Sequence, residues 1–193
     1  NNQRKAALNQ MALERGLAYS QEISDITQLL GGVLFEMTSV GHYKRVRNVM
    51  TGQWHGSALK IFDLHYITGT GKNQSSHQQT GIVLAADELS VPEFVVKPEH
   101  LFSKLANALG QKEIDFEEDP DFSKQFQLMS MDEAAVRLLF NPIVREWFKH
   151  HRGICAELRS SQLLLYRKEK ILEVEDLLQL MDDGAVLMRQ FKR

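Results

Sequence analysis

Cysteine is nearly absent: the 193-residue chain has one, Cys155, so no disulfide can form within it. A small disulfide-stapled scaffold is excluded, and a packed core must hold the fold instead. Long apolar runs are also missing, and no stretch approaches the roughly 20 residues of a membrane-spanning helix. Charge of one sign is lacking too. Lys and Arg total 23 against 25 Asp and Glu, a formal net charge of -2. A balance so near zero gives no global attraction to nucleic acid, and none is expected as a partner. Repeats and low-complexity tracts do not occur. The 25% charged and 43% hydrophobic fractions are those of an ordinary globular chain long enough to bury a real core. In that setting Cys155 reads as a buried, inert thiol.

Catalytic signatures are lacking as well. Thr68-Gly69-Thr70-Gly71-Lys72 ends like a phosphate-binding loop. Such a loop needs glycine where Tyr66 stands, Ser or Thr where Asn73 stands, and a helix to follow. The segment reads better as a hairpin tip. Seven histidines are scattered without the further ligands a zinc site requires, so no metal or other cofactor is expected. No Gly-x-Ser-x-Gly elbow and no local Ser-His-Asp or Cys-His arrangement is present.

What is present is a change of texture along the chain. Residues 2–15 carry Leu8, Met11, Ala12 and Arg15 on one helical face, and Ser24 opens a short helix through Leu30. From Val33 to about Pro98 the pattern turns to strands near 43–50, 59–68, 80–85 and 93–97. Between them lie a turn region over Gly52–Gly56 and a polar loop from Gly69 to Ser76. From Pro98 onward helices are expected. One carries Leu101, Phe102, Leu105 and Leu109 and stops at Gly110. An acidic loop follows over 113–121, then a strand over Phe126–Met129. Ser130 to Glu133 has the spacing of a capping box for a helix to Phe140, and Asn141-Pro142 restarts it. Two short strands near 154–158 and 162–167 precede a last helix from about Val174 to Phe191. The expectation is a single soluble α+β domain over 1–193, an antiparallel meander covered by helices. Its first half, about 33–97, is β-rich, and its second, about 98–193, is helix-rich.

One charge stands out. Asp63 lies in Ile61-Phe62-Asp63-Leu64-His65-Tyr66, an apolar strand. A cross-strand cation such as Arg45 or Arg47 is its expected partner. Asp63 and His65 share a strand face at i and i+2, and His65 and His77 flank the polar loop that carries Lys72. These four are the candidate binding residues. No catalytic residue is assigned. Basic residues gather at Lys44, Arg45 and Arg47, at Lys149 to Arg152, and at Arg167, Lys168 and Lys170. Arg4 and Lys5 read as solvated charges or, should a membrane helix precede them, as charges flanking it on the cytoplasmic side.

The middle of the chain resembles a group of uncharacterised bacterial membrane-anchored proteins. Arg47-Asn48-Val49-Met50-Thr51-Gly52, Phe62-Asp63-Leu64-His65-Tyr66 with Thr68-Gly69-Thr70-Gly71-Lys72, and Gln79-Thr80 carry the likeness. The group's patterns are NV-x-G, FDY-x-Y-x-TGSGK and QTV. Asp119 to Phe126 and Leu163 to Tyr166 resemble its C-terminal half, while Thr70 stands for Ser and Gly81 for Val. The resemblance implies attachment through a segment outside this chain, with the domain in the cytoplasm, and it implies no reaction. The leading expectation is a non-enzymatic interaction module with a lipid or protein partner at the membrane surface. A small-molecule enzyme near the 63–77 hairpin and a structural oligomer joined through the last helix are the alternatives.

Overall fold

Alternating apolar residues build the fold around one sheet. In strand β3 (Ser57–Thr68), Leu59 and Ile61 face one hydrophobic cluster while Phe62, Leu64 and Tyr66 face another. Both faces must therefore be covered, since successive side chains of a strand point to opposite sides. A computed structural model describes residues 2–87, 89–101 and 111–192.

Helix α1 (Asn2–Glu14) leads into edge strand β1 (Ala18–Ile23), and the short helices α2 (Ile26–Leu29) and α3 (Glu36–Ser39) follow. Next come β2 (His42–Trp54), β3, β4 (Ser75–Ala85), β5 (Phe94–Pro98) and β6 (Lys112–Glu113). Then follow α4 (Pro120–Gln125), β7 (Phe126–Ser130), α5 (Glu133–Leu139), α6 (Pro142–His150), β8 (Cys155–Arg159), β9 (Gln162–Tyr166) and α7 (Val174–Phe191). The strands form a nine-stranded antiparallel sheet in the order β1-β2-β3-β4-β9-β8-β5-β7-β6. This is the expected α+β fold, an antiparallel sheet flanked by helices.

β2, β3 and β4 form the first three strands of the anticipated meander, but Ala18–Ile23 adds an edge strand beside β2, and β5, expected next to β4, does not pair with it. The β8–β9 hairpin then inserts between β4 and β5. Burial explains the order: β8 and β9 are covered along most of their length and need neighbours on both edges, whereas β1 is largely exposed and sits at the rim. The β-rich and helix-rich halves thus share one sheet. α1, α6 and α7 cover the face of Leu59 and Ile61, and α2 and α3 cover the other. α7 buries Leu177, Leu180, Met181, Met188 and Phe191 as its periodicity predicts. A Cβ on Gly184 would lie 2.9 Å from both Leu84 and Leu165, so the bare glycine is what lets the helix approach the sheet.

Several boundaries move. The Gly52–Gly56 turn shrinks to His55-Gly56, with φ of 45° and 77°, the left-handed pair of a tight hairpin. Asp25, not Ser24, caps α2 through the Thr27 N–H. Asp119 caps α4 inside the expected acidic loop. Asp132 caps α5, while Ser130 ends β7 and its hydroxyl donates to the Glu93 carbonyl, so no Ser-Glu box forms. Of the expected helix after Pro98, residues 99–101 form a 3-10 turn and 102–110 lie outside the described residues.

Candidate functional site

Asp63 is the centre of a polar knot. Its carboxylate accepts from the Arg4 guanidinium at 2.6 and 3.2 Å, from Asn48 Nδ2 at 2.8 Å and from the Thr80 hydroxyl at 2.7 Å. Arg4 also donates to the Leu172 carbonyl, and the Leu172 N–H donates to Thr80 Oγ1. The ion pair is largely covered, with Arg4 and Asp63 side chains 10% and 12% exposed. Asp63 therefore fastens the start of α1 and the approach to α7 onto the sheet. Its expected partners do other things. Arg47 lies in register with both Glu22 and Asp63 and pairs with Glu22 at 3.3 Å. Arg45 lies opposite His65. Arg4, read from sequence as a solvated or membrane-flanking charge, is the residue that holds Asp63.

The structure does not bring the four candidates together. His65 bonds Ser76 Oγ at 2.7 Å on the Asp63 side of the sheet. His77 pairs in register with Tyr66 and so lies on the opposite face. There its ring stacks on Tyr66 at 5.0 Å, meets Thr68 Oγ1 at 2.7 Å through Nε2, and meets Glu169 at 2.6 Å through Nδ1. A ring protonated at Nδ1 satisfies both contacts. Lys72 is exposed in a 3-10 turn, Gly71–Asn73, at the tip of the β3–β4 hairpin. Of the other histidines, His151 stacks on Trp147 and bonds Asp183 at 2.9 Å. Among the described residues no three His, Cys, Asp or Glu side chains are grouped to hold a metal.

Sequence reasoning missed a second knot. Glu157, on β8, is fully buried and accepts from the Glu36 and Met37 backbone N–H groups at 2.7 and 3.0 Å. Burial raises its carboxyl above the ordinary value, with Lys97 and the two N–H groups opposing the rise. Lys97 in turn pairs with Glu36. Burial also pushes the neighbouring Cys155 thiol up to about 11 and the Tyr166 hydroxyl well above its usual value. Such a thiol is inert, as expected. Cys155-Ala156-Glu157-Leu158 reads as a half-exposed strand, and only the covering segment 35–37 makes Glu157 internal.

Shallow grooves mark the surface, two of them beside exposed apolar residues. An apolar groove of about 550 Å3 is lined by Pro142, Ile143, Glu146 and Trp147. A more polar one of about 410 Å3 runs past Asp25, Leu34, Thr38 and Lys44. No helix among the described residues is long and apolar enough to cross a membrane.

Comparison with known proteins gives a likeness of fold. No protein-family model matches the chain, and no curated protein sequence matches it. Among solved structures, the fold is similar to that of the mycobacterial trehalose monomycolate transport factor A, TtfA, with a TM-score of 0.68. The superposition covers 99% of this chain and 93% of the other at 16% sequence identity. At that identity the likeness is one of fold.

Proposed function

We propose that this chain is a non-catalytic binding module stationed at the cytoplasmic face of a bacterial membrane, acting on a lipid or on a protein that handles lipid. The observation that carries the reading is the fold likeness over nearly the whole of both chains to a factor named for trehalose monomycolate transport. The internal polar groups support the same reading. Asp63 and Glu157 are each satisfied by the protein itself, and they fasten helices rather than converge on a cleft. The test is fractionation of the native full-length protein, with protease protection to fix the side of this domain. Recovery in the membrane fraction, with the domain protected in sealed cells, is expected. Recovery in the soluble fraction overturns the proposal.

One observation favours a second reading, an enzyme at the hairpin. Thr68, His77 and Glu169 have the hydrogen-bond order of nucleophile, base and orienting carboxylate. Glu169 is half exposed to water, which weakens its hold on the ring. Ester hydrolysis by the purified chain that vanishes in both Thr68→Val and His77→Ala would establish this reading. Hydrolysis that is absent or unchanged would dismiss it.

A further inference from the structure

We propose that the end of the sheet carrying the β3–β4 tip docks on a bilayer containing anionic lipids. The inference rests on the membrane-surface reading above and names the face and the lipid class.

Several elements converge at this end. His42 pairs with Ile67 and Arg45 with His65, while the register shift between them makes Tyr43 and Lys44 a bulge against β3. Bulges re-aim side chains. Here the bulge holds Tyr43 at a φ of 50° with 74% of its surface in water. Val40, just before, is 48% exposed. The tip from Gly69 to Ser76 projects beyond, with Lys72 in it. Lys168 follows β9, beside the Glu169 that binds His77. A rise of about 3.3 Å per residue and a strand spacing of about 4.8 Å put Arg45 within roughly 20 Å of Lys72.

Charge is unbalanced there although the chain as a whole is nearly neutral. Three carboxylates of this region are paired with cations, Glu22 with Arg47, Glu36 with Lys97 and Asp63 with Arg4, while Glu169 is hydrogen-bonded to His77. Asp25, in the groove shared with Lys44, caps α2. The side chains of Lys44, Arg45, Lys72 and Lys168 make no ion pair or hydrogen bond among the described residues. An unpaired cationic rim around an exposed tyrosine and valine has the chemistry of an interfacial anchor. Aromatic rings sit at headgroup depth, and Lys or Arg meets the negative surface potential. The direction of α1 agrees. Its first turn holds Arg4 at the level of Asp63, and Leu17, three residues past its end, packs at Gly52, so its N-terminal end points toward the same rim.

Sedimentation of the purified chain with vesicles tests the face. Vesicles of phosphatidylcholine alone are compared with vesicles of phosphatidylcholine and phosphatidylglycerol. Binding is expected on the anionic vesicles only, and it should weaken with salt. Arg45→Glu and Lys72→Glu should each weaken it about tenfold, while both variants keep the parent melting temperature. Ile143→Asp, on the separate apolar groove of α6, should leave it unchanged. Equal binding to neutral vesicles, or anionic binding that both reversals leave intact, overturns the proposal. So does capture of a protein partner by a chain that ignores vesicles. Fractionation separates the two readings. A native protein found in the membrane whose purified chain ignores anionic vesicles sinks this face and leaves the module reading standing. A native protein found free in the soluble fraction sinks the module reading whatever the vesicles show.

Discussion

The two halves of the sheet each place a carboxylate between apolar neighbours on a strand, and they satisfy it differently. In the long-stranded half, Asp63 is held by side chains from α1, β2 and β4 and keeps 12% of its own exposed. In the short-stranded half, Glu157 is fully buried and held by two backbone N–H groups of the segment that covers it. A guanidinium partner fixes a full negative charge. Backbone N–H groups donate to a carboxylate or, less strongly, to a neutral acid, so burial has more influence on the second group. One knot joins a distant helix to the sheet by charge, and the other pins a short lid by geometry.

The sharpest way to break this comparison is to remove Asp63. Asp63→Ala leaves the covered Arg4 guanidinium only the exposed Glu173 carboxylate at 4.0 Å, and strips an acceptor from Asn48 and Thr80. A loss of about 3 kcal/mol is expected, the low end for breaking a buried pair because some water reaches this one. Urea unfolding measures it. Combining Arg4→Met with Asp63→Ala should return part of that loss, giving a coupling of about 1–3 kcal/mol. Arg47→Ala, which deletes the cation directly in register with Asp63, should cost under about 1 kcal/mol, because its own partner Glu22 is half exposed. An Arg47 effect as large as that of Arg4 would refute the assignment.

Glu157→Gln comes next. One amide oxygen can accept only part of what two carboxylate oxygens accept, and the amide N–H2 then faces a backbone N–H. A loss of about 2 kcal/mol follows. Its pH dependence has a definite sign. Burial raises Glu157 above its ordinary 4.5, so the folded chain keeps this proton to higher pH than the unfolded chain does. The Glu157 contribution is therefore complete below 4.5 and declines as pH rises toward the folded value. The glutamine does not titrate. The deficit of Glu157→Gln should accordingly be largest near pH 4 and shrink as pH rises, read as the difference between two urea titrations at each pH. A deficit that grows with pH would mean that the charged form is the one stabilised.

The contrast also shows what a sequence can reveal. Asp63 was conspicuous because Ile61, Phe62 and Leu64 surround it, and an odd charge needs a reason. Its partner was hidden because Arg4 is 59 positions away, on a helix whose docking depends on the whole core. The nearer choice, Arg47, is in register with Asp63 but also with Glu22 on β1, and it pairs with Glu22. Glu157 was invisible, since its burial comes from a segment more than a hundred positions earlier. Helices α1, α6 and α7 were legible because their apolar positions repeat at helical spacing, which is a local property. The place of β8 and β9 between β4 and β5 was not, because pairing between distant strands leaves no local mark. The candidates at 63, 65 and 77 failed to converge for a simpler reason. His77 sits one register step from the position that faces His65, and a single step reverses the face.

The smallest expected effect lies at the rim, and it sharpens the comparison by lacking burial. His77 binds Glu169 and Thr68 and stacks on Tyr66, a set of contacts as numerous as those of Asp63. Yet its side chain is 19% exposed and Glu169 is 50% exposed. Water replaces most of what such a pair loses, so His77→Ala should cost only about 0.5–1 kcal/mol in urea unfolding. If it costs as much as Asp63→Ala, contact number rather than burial governs these knots, and the distinction between the two halves of the sheet falls. If it costs little, the hairpin end is held loosely enough to be altered without unfolding the core. That is what a surface presenting Tyr43, Arg45 and Lys72 to a membrane requires, since mutations there must change binding while the fold stays intact.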